Sequence, residues 1–377
     1  MNRKIASHYT LINGALERNI VVEIDDTGLI LNIERCLEID NLAHVEFHPG
    51  ILIPGMVNAH CHLELSYLHG AIPEATGFAG FAREIGVRRN NYTMEERLHA
   101  ASVADAAMYY EGVVAVADIA NDELTMPIKE RSKIEYHTLF ELFGLTLEAT
   151  TKHHAMATRH KRSFITPHST YSLQDAIFKE SCSMGEGPLS IHFLESDDEA
   201  ALYRHEGSLN AWYTRMGWEC DFLHYGTPTK RVVESIPKER RAMLVHGCKA
   251  SKTDIMTLDS HFTTPPTWVL CPESNRYISG IKPPVALFEE VAAHIAIGTD
   301  SLASARSISM LDNMRQIEGV SLATLLTWAT QGGARALGIE DRYGMLEVGK
   351  RPGLVVIADI DIHNLSLLEN SYATRIA

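Results

Sequence analysis

His60 and His62 lie one residue apart at the end of an apolar run, in Pro54-Gly55-Met56-Val57-Asn58-Ala59-His60-Cys61-His62. Side chains along a strand alternate between its two faces, so the imidazoles share a face while Cys61 points away. Two imidazoles projecting together from a strand end can share one metal ion. Such a pair is common without one, and its weight here comes from later apolar runs. These end in His192-Phe193-Leu194-Glu195, in Val245-His246-Gly247 and in Gly298-Thr299-Asp300-Ser301.

A mononuclear hydrolytic site needs about four nitrogen or oxygen ligands, an open position for water, and a base for that water's proton. His60, His62, His192 and Asp300 meet the first need. Three neutral imidazoles and one carboxylate leave a divalent ion net positive, which acidifies a bound water. Zn²⁺ is the default for this set, and the same donors suit Fe²⁺. Glu195, three residues beyond His192 where strand turns into loop, is placed to move the proton, and His246 to hold the water's direction. Each residue alone has a plainer reading: His192 as a core histidine, Asp300 as a helix cap, Glu195 as a carboxylate favoured at a helix start. Unrelated structural residues have no reason to gather at strand ends, and that shared register favours the metal.

The elements that would position these groups are apolar runs at 51–57, 112–118, 136–142, 163–167, 189–194, 243–245, 268–270 and 294–298, each followed by a plausible helix. Thr93-Met94-Glu95-Glu96 spells a capping box, and Gly112 is a suitable stop for the helix between. Strand and helix alternating eight times predicts an α/β chain folded as a (β/α)8 TIM-type barrel, whose functional groups gather at the C-terminal strand ends. The two ends of the chain read differently. Short β-like pieces at 9–12, 20–24, 29–33 and 353–358 predict a small β-sandwich domain formed by both termini. The expected division is 1–53 for its first part, 54–339 for the barrel and 340–377 for its second part.

With 377 residues, 45% of them hydrophobic, the chain can bury a large core. A formal charge of -14 and a pI near 5.7 argue against nucleic acid, whose phosphates want clustered Lys and Arg. A small-molecule substrate is the better partner, and a homo-oligomer stays open. Cys36, Cys61, Cys182, Cys220, Cys248 and Cys271 form no CxxC pair, which suits free thiols in a reducing compartment. The first twenty residues lack a signal-like apolar core and no apolar stretch is long enough to span a membrane, so a cytoplasmic protein without membrane contact is expected.

Taken in order, these motifs resemble the amidohydrolase superfamily, in its branch of metal-dependent aminohydrolases and chlorohydrolases. Cys271-Pro272-Glu273-Ser274-Asn275 and the tail Gly344-Met345-Leu346-Glu347-Val348-Gly349-Lys350-Arg351-Pro352-Gly353-Leu354 add to the likeness. The resemblance implies that His60, His62, His192 and Asp300 hold the metal, with Glu195 and His246 as the catalytic, proton-handling pair. Binuclear members carry a carboxylated lysine near the end of strand four; here that run closes in Phe164-Ile165-Thr166-Pro167-His168, so one metal ion is expected. His168 resembles the substrate-contacting histidine of purine-nucleoside deaminases. Glu74 sits near where those enzymes place an acid against a ribose hydroxyl, and Glu64 could face the same pocket. The implied activity is hydrolytic deamination of a heterocyclic amine, with an adenine-type nucleoside or base as the expected substrate. Hydrolysis of a ring C–N or carbon–halogen bond on the same site is the alternative, and a catalytically silent binding protein the alternative of another class.

Overall fold

A computed structural model describes residues 2–36, 44–144 and 147–377. The apolar run at 51–57 is cut in two at Pro54-Gly55. Its first part closes strand β5 (Val45–Pro54) and its second opens β6 (Met56–Cys61), and the two strands belong to different sheets. Gly55 marks the crossing because nothing larger fits: a Cβ there would lie 2.2 Å from Cγ1 of Val114.

The parallel strands follow the expected order. β6, β7 (Val113–Ala120), β8 (Glu135–Leu142) and β9 (Ser163–Pro167) form one four-stranded sheet. β10 (Leu189–Phe193), β11 (Ala242–His246), β12 (Thr267–Leu270) and β13 (His294–Ile297) form a second. Single parallel bridges join the two at both seams, Ser169 with His192 and Cys61 with Asp300. The His192 amide donates to the His168 carbonyl at 2.8 Å, and the Thr299 amide to the His60 carbonyl at 3.0 Å. This is an α/β arrangement of TIM-barrel type. Every residue of β6, β7, β10 and β11 is buried, as expected of parallel strands covered on both faces.

The helix Met94–Glu111 starts and stops where the sequence predicts. Thr93 accepts from the Glu96 amide at 3.2 Å, the Glu96 carboxylate accepts from the Thr93 amide at 2.7 Å, and Gly112 turns left-handed with φ 100°. Strands from both termini do pair with one another. β1 (Arg3–Ile12), β2 (Ala15–Glu17), β3 (Ile20–Ile24), β4 (Ile30–Arg35), β5, β14 (Leu354–Asp361) and β15 (Ser366–Arg375) form one seven-stranded sheet. A sandwich asks for two facing sheets, and hydrogen bonding here defines one, with a small core of its own around Ile5, Val22, Ile24, Leu52 and Leu354. β15 carries no apolar run because it is mostly exposed, with Ser371 its one buried residue.

Two connections roof the strand ends. The link after β6 carries the helix Gly77–Arg88, and the long link from β10 to β11 carries Asp197–Leu202, Gly207–Met216 and Pro228–Ser235. The second joins Tyr171, from the segment after β9, in an aromatic cluster with Tyr203, Tyr213, Phe222 and Tyr225, against which Phe78, Trp212 and Trp218 pack. No described helix is long and apolar enough to cross a membrane.

Candidate functional site

His60 and His62 leave the end of β6 on one face, as the strand alternation requires. Their Nε2 atoms lie 3.2 Å apart, and Oδ1 of Asp300 lies 3.5 Å from Nε2 of His62 and 4.0 Å from Nε2 of His60. His192, from β10, brings its ring centroid to 4.9 Å from that of His60 and 5.5 Å from that of His62. Asp300 gets this close because residue 298 is glycine; a Cβ there would lie 2.8 Å from that of His60. Leu194, His246 and Asp300, all just at or past strand ends, take positive φ values of 49°, 76° and 56°. Backbone strain of this kind collects at functional sites.

Outer partners aim the rings. Nδ1 of His60 lies 3.2 Å from the Ser190 hydroxyl, and Nδ1 of His192 lies 3.0 Å from the His168 carbonyl. Oδ2 of Asp300 accepts from Ser274 at 2.5 Å and from Ser304 at 3.3 Å. With Nδ1 engaged outward, Nε2 of His60 is left facing its neighbours, the arrangement found behind metal-binding imidazoles. Burial and then the neighbouring histidines keep His60 well below its ordinary pKa, and burial takes His62 to about 4, so both are neutral donors. One ligand atom from each of His60, His62 and His192 lies within 4.8 Å of the others. Neutral imidazole nitrogens gathered beside a buried carboxylate make a donor set that a divalent cation fits.

Glu195 is buried beside this group. Burial, opposed by His192, pushes its carboxyl up to about 7. Its Oε2 lies 3.9 Å from Nε2 of His246, whose Nδ1 sits 3.0 Å from the side-chain amide of Asn275.

The turn that presents Glu195 is itself braced. The buried Glu199 carboxylate accepts from the Leu194 amide at 2.5 Å and, through its other oxygen, from the Thr170 hydroxyl, tying this turn to the one after His168. Arg231, fully buried between the rings of Phe178 and Phe222, donates to the carbonyls of Thr170 at 2.5 Å and Leu173 at 3.0 Å. Burial pushes Glu199 up to about 8, so it holds a proton at neutral pH. Glu199→Ala is therefore expected to lower kcat about ten- to a hundredfold by loosening both turns. Glu199→Gln, which keeps an acceptor for Leu194, should restore most of it. Steady-state kinetics of the pair checks this, and equal losses in both would show that acidity matters there and placement does not.

A cavity of about 360 Å³ opens over these groups, reaching from His62, His192, Glu195, His246 and Asp300 to Phe78, Phe81 and Trp212 in the roof. His168 lines it, its ring stacked on that of His192 at 4.5 Å and its Nδ1 without a partner. Glu64 lines it too, although a 3-10 helix (Leu63–Leu68) begins directly after His62; its carboxylate accepts from the Asn121 amide and side chain, both at 2.9 Å. The structure does not bring Glu74 to this cavity. It lies on the surface, held by Arg306 at 2.8 Å and Arg276 at 3.4 Å.

Glu141 is the residue that sequence reasoning passes over. It is the next-to-last residue of β8, its Oε1 lies 3.8 Å from Nδ1 of His192, and Asn121 donates to its Oε2 at 3.4 Å. Burial, and after it the nearby Glu64, pushes it up to about 8. The signal was one carboxylate inside the 136–142 run, at the same strand-end level as the histidines.

Residues 145–374 match the model of the Amidohydrolase family. The adenosine deaminase of Helicobacter pylori is 25% identical over 336 residues, covering 82% of this chain and 79% of that protein. A 5-methylthioadenosine/S-adenosylhomocysteine deaminase of Desulforudis audaxviator is 25% identical over 334 residues, covering 81% and 72%. The solved structure of Helicobacter pylori aminofutalosine deaminase in complex with methylthio-coformycin superposes with a TM-score of 0.81 at 24% identity, over 94% of this chain and 92% of that one. That likeness shows a common fold.

Proposed function

The chain belongs to the amidohydrolase family and is a hydrolase acting on C–N bonds, and from that premise we propose that it is a metal-dependent deaminase releasing ammonia from an adenine-type nucleoside or base. The observation that carries this reading is Glu195, a buried carboxyl brought to about 7 beside three imidazoles and a carboxylate. Two curated relatives named as adenine-nucleoside deaminases support the same class.

His60, His62, His192 and Asp300 would hold one divalent ion, with Zn²⁺ the default for this donor set. When bound, the ion supplies Lewis-acid charge that acidifies water and steadies negative charge on oxygen. Glu195 takes a proton at its carboxylate, passes it to a ring nitrogen and then to the departing amine, and so acts as base and then acid. His246, its ring fixed by Asn275, hydrogen-bonds the oxygen that attacks. His168 reads the ring from its place on His192, and Glu141, carrying its proton, donates to a ring acceptor. Glu64 reads the substituent, the part the sequence reading shared with Glu74.

We further propose that the two parallel sheets close into one (β/α)8 barrel over 54–339, with 1–53 and 340–377 packed as the smaller domain. The charge of -14 and the cavity's size suit a small substrate in the cytoplasm. Elemental analysis of purified protein is expected to find one divalent ion per chain, and His192→Ala to lose most of it. Two tightly held ions, or undiminished metal in the variant, would overturn the ligand set. The activity is tested by ammonia release from amino-purines, amino-pyrimidines, amino-pterins and their nucleosides. Silence across that panel, with rapid hydrolysis of a lactam or a chlorinated ring, would replace deamination by the alternative chemistry.

A further inference from the structure

The first and last parallel strands meet beneath the metal ligands, and side chains make the meeting. β6 and β13 stand in different sheets, and the isolated bridge of Cys61 with Asp300 links them. Asn58, two residues before His60, and Thr299, one before Asp300, are both buried there. The Asn58 side-chain nitrogen donates to the Thr299 hydroxyl at 2.7 Å. Its oxygen accepts from the Thr299 amide at 3.1 Å and from the His60 amide at 3.4 Å. A backbone N–H can only donate, so the Asn58 oxygen must face it and the side chain has one orientation. The His60 carbonyl in turn accepts from the amides of Thr299 and Asp300, both at 3.0 Å, and the His62 amide donates to the Asp300 carbonyl at 3.3 Å.

Packing alone does not ask for this pair. The neighbours of Asn58 along the strand, Met56, Val57, Ala59 and Cys61, are apolar and fully buried. Parallel strands covered on both faces are ordinarily filled with such residues. A buried amide is tolerated among them only while its hydrogen bonds are kept. Leucine, close to asparagine in shape, would fill the same space. What asparagine adds is direction, since it grips the backbone of both segments at the level where His60 and Asp300 leave them.

We propose that Asn58 and Thr299 are positioning residues for the divalent ion: they lock the first strand to the segment after the last, fix the separation of the His60 and His62 pair from Asp300, and so set how tightly the ion is held. The inference rests on the ligand set proposed above and adds to it two residues that do not line the cavity. Ser274 and Ser304 aim the Asp300 carboxylate itself. Asn58 and Thr299 act one level lower, on the backbone that carries it. Groups that hold metal ligands from behind are worth about ten- to a hundredfold in affinity.

Protein stripped of metal and titrated with Zn²⁺ against a chromophoric chelator gives a dissociation constant for wild type, Asn58→Leu, Thr299→Val and Thr299→Ser. Asn58→Leu is expected to weaken Zn²⁺ about ten- to a hundredfold and Thr299→Val about tenfold, with Thr299→Ser, which keeps the hydroxyl, within about threefold of wild type. Urea unfolding of the same proteins without metal reads stability apart from binding. Lower stability with wild-type affinity in Asn58→Leu and Thr299→Val would make the pair a part of the core alone and overturn the proposal. Equal losses of affinity in Thr299→Val and Thr299→Ser would overturn it too. If Asn58→Leu does not fold, the two threonine variants decide. Visible absorption of the cobalt-loaded proteins reads the coordination geometry directly; the band should change in Thr299→Val and stay in Thr299→Ser, and an unchanged band in Thr299→Val counts against the proposal. A wild-type protein that takes up no ion would remove the ligand set and this inference with it, whereas equal affinity in all four proteins would remove the inference and leave the ligand set standing.

Discussion

Glu195→Gln is expected to lower kcat by about a hundredfold or more while the bound metal stays at the wild-type level. Glutamine keeps the size and hydrogen bonding of the side chain and removes its basicity. The effect is large because the environment has already set the carboxyl near neutrality: burial raises it, and His192 holds it at about 7. A group so placed can accept a proton and give it back within one turnover. Metal content should not follow, since His60, His62 and His192 bring their donor atoms together without Glu195. Saturating kinetics and elemental analysis of the same preparation check both halves. Near-normal turnover would remove Glu195 from the chemistry, and a parallel loss of metal would make it a ligand.

Lys129→Met is expected to destabilise the fold by about 3–5 kcal/mol near neutral pH, the cost of leaving a buried charge without its partner. The Lys129 and Asp118 side chains form an ion pair at 2% and 0% exposure. Lys129 also donates to the Thr138 hydroxyl at 3.3 Å, and Asp118 accepts from the Leu63 amide at 2.8 Å, one residue past His62. Burial raises the Asp118 pKa even with Lys129 opposing it, so removing the lysine moves it further up. A carboxyl whose folded pKa exceeds its unfolded value contributes stability below the unfolded pKa and loses it as pH rises through the folded one. The variant should therefore be closer to wild type at pH about 5 than at pH about 8, and adding Asp118→Asn should recover part of the loss. Urea unfolding at the two pH values measures this. A penalty independent of pH would show that the unpaired carboxylate is not its source.

His60, His62, His192 and Asp300 are legible in the sequence because a parallel strand leaves its last residues at one rim, and an apolar run ending in a ligand-type residue announces that rim. The same rule reaches Glu141, which is hidden only because one carboxylate within a run reads as a strand's solvent-facing residue. Glu74 shows the opposite failure. Its distance along the chain from His62 looks right, but its carboxylate is drawn to Arg276 and Arg306, both far away in sequence. The aromatic roof is illegible for a related reason. Nothing in the spacing of Trp212 and Trp218 says that they pack on the same aromatic cluster as Phe78, since that depends on how two long connections pack across the strand ends. In the terminal sheet, β1 and β3 announce themselves by their apolar residues, whereas the largely exposed β15 is specified by its pairing with β14.

The seams between the two parallel sheets bear on how the protein is made. His60 lies near the end of β6 in the first sheet with His62 just beyond it, while His192 and Asp300 arrive with the second, and an isolated bridge at each seam involves one of these two, Ser169 with His192 and Cys61 with Asp300. On a ribosome the histidine pair emerges early and must wait for Asp300, which follows the last parallel strand, before the four can meet. Ion capture would thus be a late step, dependent on near-complete synthesis. Chains truncated before β13 should emerge metal-poor even when their first sheet has formed. Because an ion that binds only the native state adds to its stability in proportion to the logarithm of its free concentration, metal starvation during growth would be felt as shorter protein lifetime as well as lower activity.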